Sequence, residues 1–375
     1  MIILDRYVLR IYVKVLAVSF LSLTGLFIVI DMFGNLEEFI TYGERQGSLL
    51  GVLTDYYGAH VLSFYDRISG LLALIAAVFT ITWLQRTNEM TALMAAGIPK
   101  ARIVRPLLVA TVAVALVAAA NREFTLPRVR DKLSRNAQDW LGETAKELKP
   151  TRDFRTGILI GGQTTVAAHK QINAPSFRLP RTLNHYGKQL AARQANYWPL
   201  TADRPSGYYL KDVTQPSNLA GIDPRGQQVI LTHRDADWIE PADCFVVSDV
   251  TFEHLSVKGV WYKYASTWEL IRALRNPSLD YGADARVTVH KRFLEPMLDV
   301  TLLLLGLPLV LARSNKNVFV AAAKCLLLVA GYFLITLACQ TLGRNTFLVS
   351  PALAAWLPLL ILAPLAHMAA LRRWE

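Results

Sequence analysis

Six apolar runs, each close to the length that crosses a bilayer, limit this chain more than any other feature. They are Ile11–Phe33, Ile68–Leu84, Ile103–Ala120, Phe293–Ala312, Val318–Gln340 and Pro351–Leu371. A helical span needs about 20 predominantly apolar residues. Inside lipid every backbone hydrogen bond must be satisfied internally, and runs without strict alternation satisfy it as helices. The third run is the shortest and is expected to extend at both ends. The first has too long an apolar core for a signal peptide, and no A-x-A-like site precedes the polar DMFGNLEEF. Of the 375 residues only 18% are charged, so polar residues collect in water-exposed pieces, the largest between the third and fourth runs.

Basic residues set the orientation. With the N-terminus inside, segments 1–14, 85–105, 313–317 and 371–375 are cytoplasmic and carry 11 basic residues against 3 acidic. The short outer segments 34–62 and 341–350 carry 2 basic and 4 acidic. Six spans return the C-terminus to the inside, and the large insert lies outside the cytoplasm. The net charge of +11 then suits a membrane surface or an anionic ligand rather than nucleic acid. Cys325 and Cys339 stand 14 residues apart in one run. That is roughly 21 Å along a helix, too far for a disulfide.

The insert, 121–290, begins helically in NREFTLPRVRDKLSRNAQDWLGETAKEL. After Pro150 come short β-branched or aromatic runs: GILIGGQTTVAAH, KQLAARQANYWPL, GYYLKDV and QQVILTHRDADWI. Turn residues at 173–175, 203–205 and 223–226 separate them. Strands at this spacing predict a β-sandwich or jelly roll. Ser266-Thr-Trp-Glu269 is a capping-box pattern that starts a helix leading back to the fourth span. The division is therefore 1–120, 121–290 and 291–375.

No Walker A motif is present, so ATP hydrolysis is not expected of this chain. The seven histidines are scattered without metal-ligand spacing, and no G-x-S-x-G occurs. No catalytic site, metal or cofactor is expected. Ionisable residues near the spans are more informative, because charge in lipid is costly. Asp31 ends span one, and Asp66 and Arg67 are expected to precede span two. Lys291, Glu295 and Asp299 share a face of the fourth span, with Arg292 beside them, and Lys324 enters the fifth. One reading is local: Lys291 and Arg292 pair with Glu295, and Lys324 snorkels. The other is a polar cavity in which Arg67, Lys291, Arg292 and Arg344 hold a phosphorylated lipid headgroup.

NEMTALMAAGIPK, 88–100, reads as a small capped helix on the cytoplasmic side. Asn88 and Thr87 are candidate caps, Glu89 falls in the first turn, Gly97 ends the helix and Pro99 prevents its continuing. Such a helix either transmits force from a soluble partner to two spans, or rests on anionic lipid through Arg86, Lys100, Arg102 and Arg105.

QRTNEMTALMAAGIPKARI resembles a segment of the lipopolysaccharide-export permeases, the LptF/LptG (YjgP/YjgQ) family. LDRYVLR, VIDMFGNLEEF, LPRVRDKLSRNAQ, VHKRFLEPMLDVTLLLLGLPLVLA and SPALAAWLP resemble other family segments in the same order. The resemblance implies a membrane α-helical fold of six transmembrane helices, with an extracytoplasmic β-jelly-roll-like domain between helices 3 and 4. It implies two related permease subunits around a cavity open to the outer leaflet. Lipopolysaccharide enters between the first and fifth helices of opposing subunits, a cytoplasmic ABC ATPase dimer (LptB-like) drives the cycle, and the lipid leaves along periplasmic bridge proteins (LptC/LptA-like). The helix at 88–96 is similar to the family's coupling helix. That similarity implies ATPase contacts from Arg86, Glu89, Met90, Leu93, Met94 and Gly97, with Glu89 meeting an ATPase arginine. The chain departs from some members with Asp31 in place of a lysine and from many with Ser69-Gly70 in place of a proline. The alternatives are a membrane-anchored periplasmic scaffold that moves no substrate, and a different ATP-driven exporter.

Overall fold

The computed structural model describes residues 3–133, 137–139, 144–217, 229–256, 261–311, 318–344 and 349–374. The chain forms two compact units, Met1–Val129 with Gly282–Glu375, and Arg130–Tyr281.

The first unit is helical. Its elements are α1 (Ile3–Gly34), α2 (Leu36–Gln46), α3 (Leu49–Arg86), α4 (Glu89–Ala95) and α5 (Lys100–Ala120). A π turn (Asn121–Thr125) carries α5 into α6 (Leu126–Leu133), and α10 (Gly282–Leu311), α11 (Val318–Arg344) and α12 (Pro351–Trp374) complete it. Six helices are long and apolar enough to cross a membrane, and each of the six runs falls on one of them. The expected boundary before span two is corrected. Asp66 and Arg67 lie well inside α3, whose 38 residues begin at Leu49. Charge masks this extension in the sequence, but Leu49–Arg67 contains no helix breaker. Ser48 caps it by accepting from the Gly51 N–H at 3.1 Å, and Phe39 of α2 packs edge-on against Tyr56.

α10 is the hub of this unit and packs on α3, α5, α11 and α12. Leu294, Leu298, Leu302 and Leu307, spaced by four or five residues, supply its buried stripe. Two glycines permit close approach. A Cβ at Gly306 would sit 2.5 Å from Leu74, and one at Gly70 would sit 2.1 Å from the Asp299 carboxylate. Gly70 therefore makes room on α3 for an acid of α10.

Three helical segments of this unit are joined by Arg122. Its guanidinium, on the π turn, lies 2.9 Å from Asp66 Oδ1 on α3 and also pairs with Glu295 on α10. The side chain is 9% exposed. The neighbouring Asn121 donates to the Leu62 carbonyl at 2.9 Å. The Leu126 N–H bonds to the Asn121 carbonyl, an i→i+5 step that turns Arg122 inward. The pairing expected between Lys291 and Glu295 is thus corrected. Lys291 makes no ion pair among the described residues, and Glu295 reaches a cation on another helix. An exposed i,i+4 pair contributes only about 0.2–0.5 kcal/mol, and a desolvated, multiply bonded guanidinium interacts more strongly.

The second unit is an antiparallel β unit, as expected between the third and fourth spans, and its ten described strands belong to one sheet where the spacing predicts a β-sandwich or jelly roll. Its strands are β1 (Lys146–Glu147), β2 (Thr151–Arg152), β3 (Leu159–Ile160), β4 (Thr164–Val166), β5 (Gln171–Asn173), β6 (Ser176–Arg178), β7 (Gln189–Trp198), β8 (Gly207–Gln215), β9 (Ile230–Leu231) and β10 (Cys244–Val247). They run in the order β1-β4-β5-β7-β6-β3-β2, with β8 joining β7 to β10 and β10 to β9. β7 is long enough to pair with β6 through Ala191 and with β5 through Asn196, while β8 lines its other edge. Ile160, Ile172, Phe177, Leu190, Leu210 and Val246 fill the core. β1, β2, β5, β6 and β10 lie outside the runs read as strands, each only two to four residues long, and β1 falls in the stretch read as helical. The turn expected at 223–226 lies outside the described residues. Helices α7 (Phe252–Ser256), α8 (Trp261–Tyr264) and α9 (Thr267–Leu274) follow, and Ser266 and Glu269 form the expected capping box. Arg130 bridges Glu253 and Glu269, each at 3.3 Å.

Two predictions follow from these contacts. Arg122→Met leaves two carboxylates without their cation and should cost about 3–5 kcal/mol. The thermal midpoint of the detergent-solubilised chain should fall by several degrees, with partial recovery when Asp66→Asn and Glu295→Gln are added. An unchanged midpoint would remove Arg122 from the account of packing. His254 gives a pH dependence. Its Nδ1 accepts from the Thr251 N–H at 3.1 Å, so Nε2 carries the proton and faces the Tyr281 hydroxyl at 2.7 Å. Burial, and then the charge of Arg130, push its pKa from 6.5 down to about 4. The unfolded chain takes up this proton below about pH 6.5 and the folded one only near 4, so stability falls as pH drops through that window, by up to about 3 kcal/mol. Thermal unfolding followed by tryptophan fluorescence should show this loss, with a smaller slope in His254→Gln. An equal slope in the variant would assign the loss to other groups.

Candidate functional site

Between α3 and α5 the chain makes two sharp reversals with α4 between them. Thr87 ends α3, its Oγ1 donating to the Trp83 carbonyl at 3.0 Å. Asn88 then adopts φ 60°, ψ 6° and makes no side-chain cap. The expected capping role is corrected. The reversal needs a left-handed residue here, a conformation asparagine tolerates better than most, and that geometry leaves the cap unmade. The other end is as the sequence predicts. Gly97, at φ 77°, donates to the Met94 carbonyl, and Ile98 donates to the Leu93 carbonyl, each at 3.0 Å. This is a Schellman motif, closed by Pro99. Gln85 ties the end of α3 to α10 by donating to the Val310 carbonyl at 3.0 Å.

The α4 side chains divide into an inward and an outward set. Met90 is buried in the core that includes Val8, Tyr12, Ile81, Leu84 and Ile103, and Leu93, Met94 and Ile98 pack against it. Thr91, Ala92, Ala95, Ala96 and Gly97 are exposed, as is Arg86. Glu89 is half-buried, with the Tyr7 hydroxyl beside its carboxylate. Of the six residues read from the sequence as contacts, Arg86, Glu89 and Gly97 are open to a partner. Met90, Leu93 and Met94 anchor the helix to its own unit. A displacement applied to the small-residue face would therefore pass into the α1–α3–α5 core.

The four candidate headgroup cations differ in exposure. Arg67 is exposed on α3, Lys291 is half-buried on α10, and Arg292 is buried beside the charges of Arg122, Glu123, Asp66 and Glu295. Arg344 is the last residue of α11, and its side chain lies outside the described residues. Asp31 accepts from the Tyr57 hydroxyl at 3.0 Å. Arg122 was absent from the sequence reading. A cation just beyond a span, matched by acids within two others, was the available signal. Apart from this cluster, a groove of about 490 Å³ runs between α1 and α3, lined by Lys14, Val18, Ser22, Ile75 and Phe79 among others.

Two features point to a transport subunit: a small anchored helix with an open face, and charges embedded among apolar helices. The family model for the lipopolysaccharide export system permease LptF/LptG matches residues 6–176 and 161–372. No curated protein matches the chain. With nearly the whole sequence covered, and with six apolar helices interrupted by a sheet domain, the chain belongs to the LptF/LptG family of lipopolysaccharide export permeases.

Proposed function

We propose that this chain is one of two permease subunits that move lipopolysaccharide out of the inner membrane, powered by a cytoplasmic ABC ATPase dimer. As a family member it is a multi-pass inner-membrane component of the Lpt export system, and a transporter subunit rather than a classical enzyme. The observation that carries the coupling role is the division of α4, with Met90 held in the core and Thr91, Ala92, Ala95 and Ala96 left open. The ATPase docks on that open face. Glu89 meets an arginine of the ATPase, a pair that fixes register and partner choice more than it adds affinity. Closure of the dimer moves α4 and, through its buried side chains, the first turns of α1 and α5.

The second subunit is supported by burial. Only 6% of the apolar window of α1 and 11% of that of α11 are buried, against 28% to 56% for the other spans. Two nearly bare spans provide sides for a lateral opening completed by a partner. In this reading both termini are cytoplasmic, the sheet unit is periplasmic and hands lipid to bridge proteins, and Lys291 and Arg292 meet headgroup phosphate with Arg67 and Arg344 in supporting positions. A scaffold that moves no lipid would need neither a coupling face nor embedded charge.

Glu89→Lys should lower ATPase retention by about tenfold, the equivalent of 1.4 kcal/mol, and should abolish export. A reversed charge on the ATPase arginine should restore both. Ala92→Trp should block docking without unfolding the chain, because Ala92 is exposed. Intact docking and export in both variants would refute the coupling role. Photo-crosslinkers at Lys291 should capture lipopolysaccharide, whereas bulk phospholipid alone would favour the scaffold.

A further inference from the structure

Where α1 and α5 begin, they enclose a second cleft of about 200 Å³, lined by Asp5, Leu9, Arg102, Arg105, Pro106 and Val109. The Arg102 guanidinium lies 3.1 Å from Asp5 Oδ2, which neutralises that pair. The other carboxylate oxygen, Asp5 Oδ1, is buried without a hydrogen-bond partner. Arg105 is exposed, one turn further along α5, and makes no ion pair among the described residues. Pro106 has no N–H, so the Arg102 carbonyl four residues earlier lacks its helical donor. The polar groups thus cluster at the helix starts. Leu9 stands one turn deeper than Asp5, and Val109 one turn deeper than Arg105.

This gradient, from charge at the rim to apolar side chains below, matches a glycerophospholipid at the membrane–water interface. The set Asp5, Arg102 and Arg105 carries a net charge of +1, which a single phosphodiester cancels. The orphaned Asp5 Oδ1 is an acceptor only and asks for a donor close to that phosphate. We propose that this cleft binds an anionic phospholipid whose headgroup carries hydroxyl groups, of the phosphatidylglycerol class. Arg105, with Arg102 behind it, takes the phosphate. A headgroup hydroxyl donates to Asp5 Oδ1, and an acyl chain follows Leu9 and Val109. Basic pockets between spans are established binders of anionic headgroups, and here the unpaired carboxylate oxygen adds selectivity for a donor. The bound lipid would hold the first turns of α1 and α5 together, whatever partner docks on α4.

Native mass spectrometry of the full chain, titrated with phosphatidylglycerol or phosphatidylcholine of matched acyl chains, tests this. One phosphatidylglycerol should be retained about tenfold more tightly than phosphatidylcholine, in line with the gain from a charge-assisted hydrogen bond. Arg105→Gln, an exposed substitution that the fold should tolerate, should weaken retention of both lipids, since both carry the phosphate, whereas Asp5→Asn should erase the preference between them. Equal retention of the two lipids by the unaltered chain, or an unaltered preference in Asp5→Asn, would overturn the proposal. Soluble glycerol phosphate distinguishes the source. Weak competition supports a lipid, and displacement at concentrations comparable to the lipid would make the cleft a free-phosphate site and overturn the lipid assignment.

Discussion

A guanidinium withdrawn from water between two carboxylates organises the helical unit. Arg122 contacts Asp66 and Glu295, so α3, the end of α5 and α10 must meet at one level and in one rotational setting. Apolar stripes alone would not impose this. Leucine faces of neighbouring helices slide past one another at little cost, and in lipid no hydrophobic force singles out one register. A desolvated charge has few acceptable positions, because displacement leaves it unpaired in a medium where that is expensive. The π turn that aims Arg122 inward, the Asn121 contact to Leu62 and the space Gly70 leaves for Asp299 all serve the same junction.

At the opposite end of the same helices, the constraint is steric and backbone-based. α4 is too short to be stable alone, since a seven-residue helix cannot recover its nucleation cost. It exists because Asn88 and Gly97 provide two left-handed turns and because Met90, Leu93 and Met94 complete the core of α1, α3 and α5. Its inward side chains are fixed in the core of the spans, and its outward face of alanines is exposed.

The sheet unit obeys a different economy. Its strands are short, several only two residues long, and the long β7–β8 hairpin is the frame on which the others assemble. Several polar residues are buried there with their partners supplied. Asp153 accepts from Ser248 and from the Arg155 and Thr156 amides, and Tyr209 donates to Asp243. Neutral His254 and the Arg130 bridges add polar contacts to this apolar core.

The sequence by itself determined the six spans, the inserted sheet, the boundaries of α4 and the family, because hydropathy over about 20 residues, turn residues and motif order are local signals. Glycine at 97, the Ser266–Glu269 capping box and the strands β7 and β8 were all legible for that reason. Tertiary structure alone decided the pairings. Glu295 could be read only against its own helix, where Lys291 and Arg292 stood at pairing distance, yet its partner is Arg122, 173 residues away. α3 continues beyond its apolar run, and Asn88 forms a left-handed turn rather than a cap, neither of which local hydropathy signals. The direction of each α4 side chain was likewise invisible. Methionines and leucines on a short helix suit a partner's groove and the chain's own core equally well, and only the packing of α1, α3 and α5 around Met90 distinguishes the two.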